Sequence, residues 1–177
     1  MPATAYILLQ SNNVQTFLVN IFTKEISDNL KARIYIESAK ISFFNRIQLN
    51  NLYIEDQNQD TLLFSETVYI NLKRIDKKNR VVDISKMEFE NADIRFRIDS
   101  TRTINFQFII DELKRDKKKK HNKNYKRLEL NFGKVSFSES QFHLTNYYSN
   151  ERTSGVDFSD FYLENMDLEV ADVYVKG

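Results

Sequence analysis

Cysteine and tryptophan are absent from this 177-residue chain, glycine occurs three times, and the single proline is Pro2. Without cysteine there is no disulfide framework, thiolate metal site or cysteine nucleophile, so redox chemistry does not fix the compartment. Tight glycine turns and proline-punctuated loops are almost excluded. No glycine-rich phosphate loop, nucleophile elbow, HExxH or Walker sequence occurs, which argues against hydrolytic and phosphoryl-transfer enzymes. The two histidines offer little more: His121 sits in a lysine run and His143 at a strand position. Long hydrophobic runs are missing as well. Ala3–Leu9 (ATAYILL) is apolar but far short of the roughly 20 residues a membrane-crossing helix needs. No basic region precedes it as a secretory signal would require. It reads either as an ordinary N-terminus or as the last turns of an anchor.

What the chain does contain is aromatic and charged. Phe (14) and Tyr (9) are plentiful, and together with recurring Ile and Val they favour half-buried pleated surfaces. The formal net charge of +1 hides a segregation. Lys114–Arg127 (KRDKKKKHNKNYKR) holds nine of the 26 basic residues; the other 163 residues carry 17 basic and 24 acidic groups, net −7. The body is acidic, with one basic insert.

The most informative feature is an eight-residue pattern, apolar at positions one, three, six and eight, that occurs five times, once with a serine, Ser140, at its sixth place. The copies are Ile34–Ile41 (IYIESAKI), Ile47–Ile54 (IQLNNLYI), Met87–Ile94 (MEFENADI), Val135–Phe142 (VSFSESQF) and Phe161–Leu168 (FYLENMDL). Side chains alternate between faces along a strand, so this spacing describes two short amphipathic half-strands with a parity change between them. That change needs a bulge or a tight kink. Most intervals between copies lie near multiples of about 13 residues, as hairpin-connected strands would give.

Residues 12–30 stand apart, because Val14, Phe17, Leu18, Ile21, Phe22, Ile26 and Leu30 recur at three- and four-residue spacing. They predict one amphipathic helix, capped by Ser11 or Asn12, that docks on the protein's own sheet or lies on a membrane interface. From Lys31 the period is two. Strands are expected at 32–43, 46–55, 61–73, 81–98, 103–110, 127–144 and 155–176, with the charged insert, 111–126, looping out. The organisation is thus an N-terminal segment, 1–30, and a repeat β-region, 31–177. Residues 166–175 still alternate where the sequence stops, so the expectation is a longer ladder or continuation by another chain.

Two polar constellations have bland readings. Asp56-x-Asn58-x-Asp60 resembles the opening of a calcium loop, but Thr61 and Thr67 stand where such a loop needs glycine and a bidentate glutamate. A polar hairpin turn is the better reading, and no metal is expected. The lysine run reads as a solvated loop; anionic lipid headgroups are the sharper alternative, and with no recognition module around the run nucleic acid is not an expected partner. The repeated apolar faces are the larger constellation. With one helix to cover them, they suggest an open trough that demands a ligand or partner.

The amphipathic helix, ISFFNRIQLNNLYIEDQNQDTLLFSE (Ile41–Glu66), INFQFIIDEL (Ile104–Leu113), the charged insert and the later repeats together resemble the start of TamB-type proteins of the AsmA-like superfamily. The resemblance covers about residues 10–177 and implies a mainly β fold, an elongated, curved, taco-like open groove behind an N-terminal helix. It implies a non-enzymatic protein of the double-membrane bacterial envelope, periplasmic and held at the inner membrane by its N-terminus. Such proteins are implicated in carrying phospholipid between inner and outer membranes and, with an outer-membrane barrel assembly partner, in assembling outer-membrane proteins. It supplies no catalytic residues, cofactor or metal. Groove-lining candidates are Ile34, Ile36, Ile47, Leu49, Phe89, Ile94, Phe96, Leu130, Phe137, Leu163 and Leu168. The rival expectation is a scaffold whose exposed strand edge pairs with nascent barrel strands.

Overall fold

The computed structural model describes Ser27 and residues 32–42, 45–76, 78–79, 81–114, 129–149 and 154–171. Apart from Ser27, the expected helix over 12–30 lies outside the described residues, as do the basic run beyond Lys114 and the last six residues. Within them the chain is mainly β: β1 (Ile34–Ser42), β2 (Arg46–Glu55), β3 (Thr61–Asp76), β4 (Val81–Ile98), helix α1 (Gln107–Lys114), β5 (Glu129–Asn146) and β6 (Asp160–Ala171). The strands form one open, six-stranded sheet in sequence order. Neighbours are antiparallel except β4 and β5, which run parallel. That pair corrects the expectation of hairpins throughout, since parallel strands require a crossover, here containing α1.

The register explains the octapeptide. Its apolar positions are palindromic, so an antiparallel neighbour matches one to eight and three to six. Ile34 faces Ile54 and Ile36 faces Leu52; Ile47 faces Ile70 and Leu49 faces Val68; Phe89 faces Val68 and, in the parallel pair, Phe137. The apolar places of the pattern thereby fall on one face of the sheet. β3 carries a sixth copy, Leu63–Ile70, hidden because Ser65 fills its third place.

The expected parity change is a backbone feature. Asn51, Asn91, Glu139 and Asn165, the fifth residues of four copies, have φ of 49–51°. Asparagine tolerates this left-handed conformation better than most non-glycine residues, because its short amide can bond locally. Between β2 and β3 both strands spend one extra residue at the same row, so Asn50 faces Thr67 and Leu52 faces Ser65 with no slip. On the row itself, Asn51 Nδ2 donates to the Glu37 carboxylate, and Asn91 Nδ2 donates to Glu66 Oε2 at 2.8 Å.

Backbone groups freed at the row need partners, and two fully buried serines supply them. The Ser65 hydroxyl lies 2.9 Å from the carbonyls of both Thr67 and Glu90. Ser140 donates to the Ser138 carbonyl and accepts from the Ala92 amide at 3.1 Å. An apolar residue at either place would leave those groups unmet.

Turns are built from Asx side chains where other proteins use glycine. Asp56 accepts from the amides of Asn58 and Asp60, Asp76 from Asn79, Asp99 from Thr101 and Thr103, and Asn146 from Tyr148. Each short acceptor mimics a backbone turn. The strand expected at 103–110 is corrected: only Ile104 bridges, to Ile98, and α1 begins at Gln107. Ile104, Phe106 and Phe108 alternate like a strand, but Phe106, Ile109 and Ile110 also share a helical face. Packing chose the helix: Phe106 lies 4.4 Å, centroid to centroid, from Phe96.

The core is the middle of the apolar face. Val68 and Ile70 are 0% exposed, and Ile47, Leu49, Leu52, Leu72, Val82, Ile84, Phe89, Ala92 and Ile94 are buried with them. Each of these side chains except Ala92 contributes about 1.5–3 kcal/mol relative to exposure.

Candidate functional site

The register places all eleven sequence-selected residues on one face. Ile47, Leu49, Phe89 and Ile94 belong to the buried core, and Ile34, Ile36, Phe96 and Phe137 pack half-buried against it. Leu130 is placed by its pairing with Val82. Leu163 and Leu168 are different: they are 38% and 43% exposed, together with Val170 at 41%. Val170 escaped the sequence selection because it lies beyond the last copy, yet it faces Val135 in the same row as Met87 and Ile70.

Two continuous rows therefore run across the strands and change from dry to wet. One passes from Leu49 through Val68, Phe89 and Phe137 to Leu168; the other from Ile47 through Ile70, Met87 and Val135 to Val170. Phe89 and Phe137 stack with centroids 4.8 Å apart, which continues the surface over the parallel junction. At one end of the face, Phe106, Phe96, Phe142, Phe161 and Phe158 form a chain of ring contacts with centroids 4.4–6.4 Å apart. Offset and edge-on geometries of this kind suit the aromatic quadrupole.

The opposite face is polar and ion-paired. Arg74 meets Asp83 at 2.7 Å, Lys134 meets Glu169 at 2.5 Å, and the Arg46 guanidinium stacks 4.0 Å over the Tyr69 ring. Asparagine 131 from β5 also bonds Asp83 at 2.8 Å, and this bond leads the causes that hold the Asp83 carboxyl below its ordinary range, ahead of the opposing burial and the help of Arg74.

The two sequence segments that carried the family resemblance meet at one polar cluster. Asp56 from IEDQNQD is 2% exposed and receives the Arg97 guanidinium and, at 3.1 Å, the Asn105 amide from INFQFIID. Asn105 also holds β4 through its carbonyl and amide contacts to Arg97 N–H and Arg95 O, both at 3.0 Å. Burial raises the Asp56 carboxyl, but the bonds from Arg97, Asn105 and two turn amides outweigh it, and its pKa is lowered. Arg97 also pairs with Asp60 at 2.6 Å. The carboxylates a calcium ion would use are thus engaged by an arginine and by backbone amides. Among the described residues no group of three or more His, Cys, Asp or Glu side chains is arranged for a metal.

Beside this cluster lies an open pocket of about 250 Å³ lined by Asp60, Thr61, Arg95, Phe96, Arg97, His143, Thr145 and Tyr147. Its arginines already have partners, Arg95 with Asp93 at 2.7 Å and Arg97 with two aspartates, and the His143 ring bonds Asp160 at 2.6 Å. The pocket is a neutralised corner, which leaves the exposed apolar rows as the site with unmet chemistry. Compared with protein-family models, curated proteins and solved structures, the chain finds no match.

Proposed function

We propose that this chain is the N-terminal part of a bridge-like TamB-type periplasmic protein and carries phospholipid between inner and outer membranes on its apolar β-face. The observation that supports this most is the exposure of Leu163, Leu168 and Val170 on a face whose inner residues are buried or half-buried. An acyl chain laid along them leaves water at about 0.8 kcal/mol per methylene. Because like residues repeat from strand to strand, the chain can shift by one strand, about 4.8 Å, with little change in contact. Headgroups stay in water at the open edge. No catalytic group takes part.

The test is mass spectrometry of phospholipid that co-purifies with the protein. Wild type retains lipid, and the double variant Leu163→Glu, Leu168→Glu, folded by circular dichroism, loses it. Lipid-free wild type, or a double variant that retains lipid, overturns the reading. A second reading, a scaffold that pairs with strands of outer-membrane proteins during their assembly, draws on the outer edge of β6, which faces no strand among the described residues.

A further inference from the structure

We infer that the outer edge of β6 accepts a basic strand carrying the same kinked apolar pattern, and rejects acidic ones. The inference rests on the strand-pairing reading and specifies its partner. β6 holds Asp160, Glu164, Asp167 and Glu169 and no lysine or arginine, whereas each of β1 to β5 carries at least one. The inner neighbour supplies one cation, Lys134 to Glu169; the His143 ring bonds Asp160 at 2.6 Å and the Glu139 amide donates to Asp167 at 3.1 Å. Glu164 and Asp167, beside the kink at Asn165, make no ion pair among the described residues.

Shape selects as well as charge. Asn165 takes the left-handed conformation at φ 51°, so β6 switches faces in mid-strand. A straight alternating strand laid beside it matches one half and turns its apolar residues to water in the other half, since a one-residue offset inverts every later side chain. A strand apolar at positions one, three, six and eight matches both halves, and the palindrome lets it run in either direction. This continues the rule by which the strands from β1 to β5 already meet. A second β6 has the right shape but sets Asp160 near Glu169 and Glu164 near its own twin, and like charges directly opposite are destabilising. The acids therefore protect the edge from self-pairing while leaving it open to a basic partner.

The probe is a synthetic peptide with Phe, Leu, Met and Leu at the four apolar positions and lysine between them, titrated into the full chain without lipid. Binding is read from β6 amide protection and from fluorescence anisotropy. Two control peptides carry glutamate in place of lysine, or lack the residue at the kink. The expected result is at least tenfold weaker binding of each control, and reversal of the charge preference in the variant Glu164→Lys, Asp167→Lys. Equal binding of lysine and glutamate peptides overturns the inference while leaving strand pairing in place. Binding of no peptide, or self-association through β6 instead, overturns both. Neither outcome bears on whether the wild-type protein retains phospholipid.

Discussion

β3 and β6 carry the same octapeptide on the same face, yet Val68 and Ile70 are fully buried while Leu168 and Val170 are more than 40% exposed. The difference lies in position rather than composition. β3 has a strand on each side and matches both at every apolar place. β6 has one neighbour among the described residues, and its copy sits two residues out of line with that of β5: Phe137 faces Leu168, Ser140 faces Met166 and Phe142 faces Leu163, with register shifts between them. The pattern decides which face is apolar; the neighbours decide whether that face is dry.

The contrast can be broken most sharply by truncation. Ile70→Ala is expected to cost about 3–4 kcal/mol in denaturant unfolding, because a sealed site leaves a cavity. Leu168→Ala at the wet end of the neighbouring row is expected to cost under about 1 kcal/mol. Equal costs would mean that β6 is as tightly packed as β3.

The clamp between the β2–β3 turn and the crossover secures β2, β3 and β4 but not β6. Asp56→Ala leaves Arg97 with Asp60 as its one carboxylate among the described residues and takes one of two acceptors from the Asn105 amide, at an expected cost of about 3 kcal/mol. The depressed Asp56 pKa fixes the sign of the pH effect. Its contribution is fully present above 3.8, the ordinary value, and is lost as pH falls through the lower folded value. Unfolding measured from pH 6 to pH 2 should therefore show a steeper acid loss in wild type than in Asp56→Asn.

A smaller effect probes the parallel junction. A Cβ on Gly133 would stand 2.7 Å from the Ser85 carbonyl oxygen, a backbone atom that moves only with its strand. Gly133→Ala should cost about 2 kcal/mol, with exchange of β5 and β6 amides rising more than that of β2 and β3 amides. Smallest is the kink itself. Asn91→Gly keeps the left-handed backbone and loses only the exposed bond to Glu66, about 0.5–1 kcal/mol, whereas Asn91→Val should lose about 2 kcal/mol through strain.

These particulars also show how far the sequence reads. β2 and β4 fall where period-two alternation puts them, because half-buried strands must alternate. The kink is legible as a parity change, and the asparagines near its middle mark the residue that turns left-handed. The sixth copy is not legible, since Ser65 looks polar until the unpaired carbonyls around it are seen. Nor is the parallel pair, because a palindromic pattern fits either strand direction. Of the face, its residues were readable but its exposure was not: Ile47 and Leu163 have the same sequence signature, and only the sheet order separates them. The union of Asp56 with Asn105 over 49 residues lay beyond any local pattern.

The most direct test of a lipid-bearing β6 face is site-specific photo-crosslinking in a double-membrane bacterial host, with a photoreactive residue at Leu168 or at neighbouring Asp167 on the polar face. Phospholipid is expected to attach at position 168 and not at 167. No adduct at 168, or equal adducts at both, would contradict it.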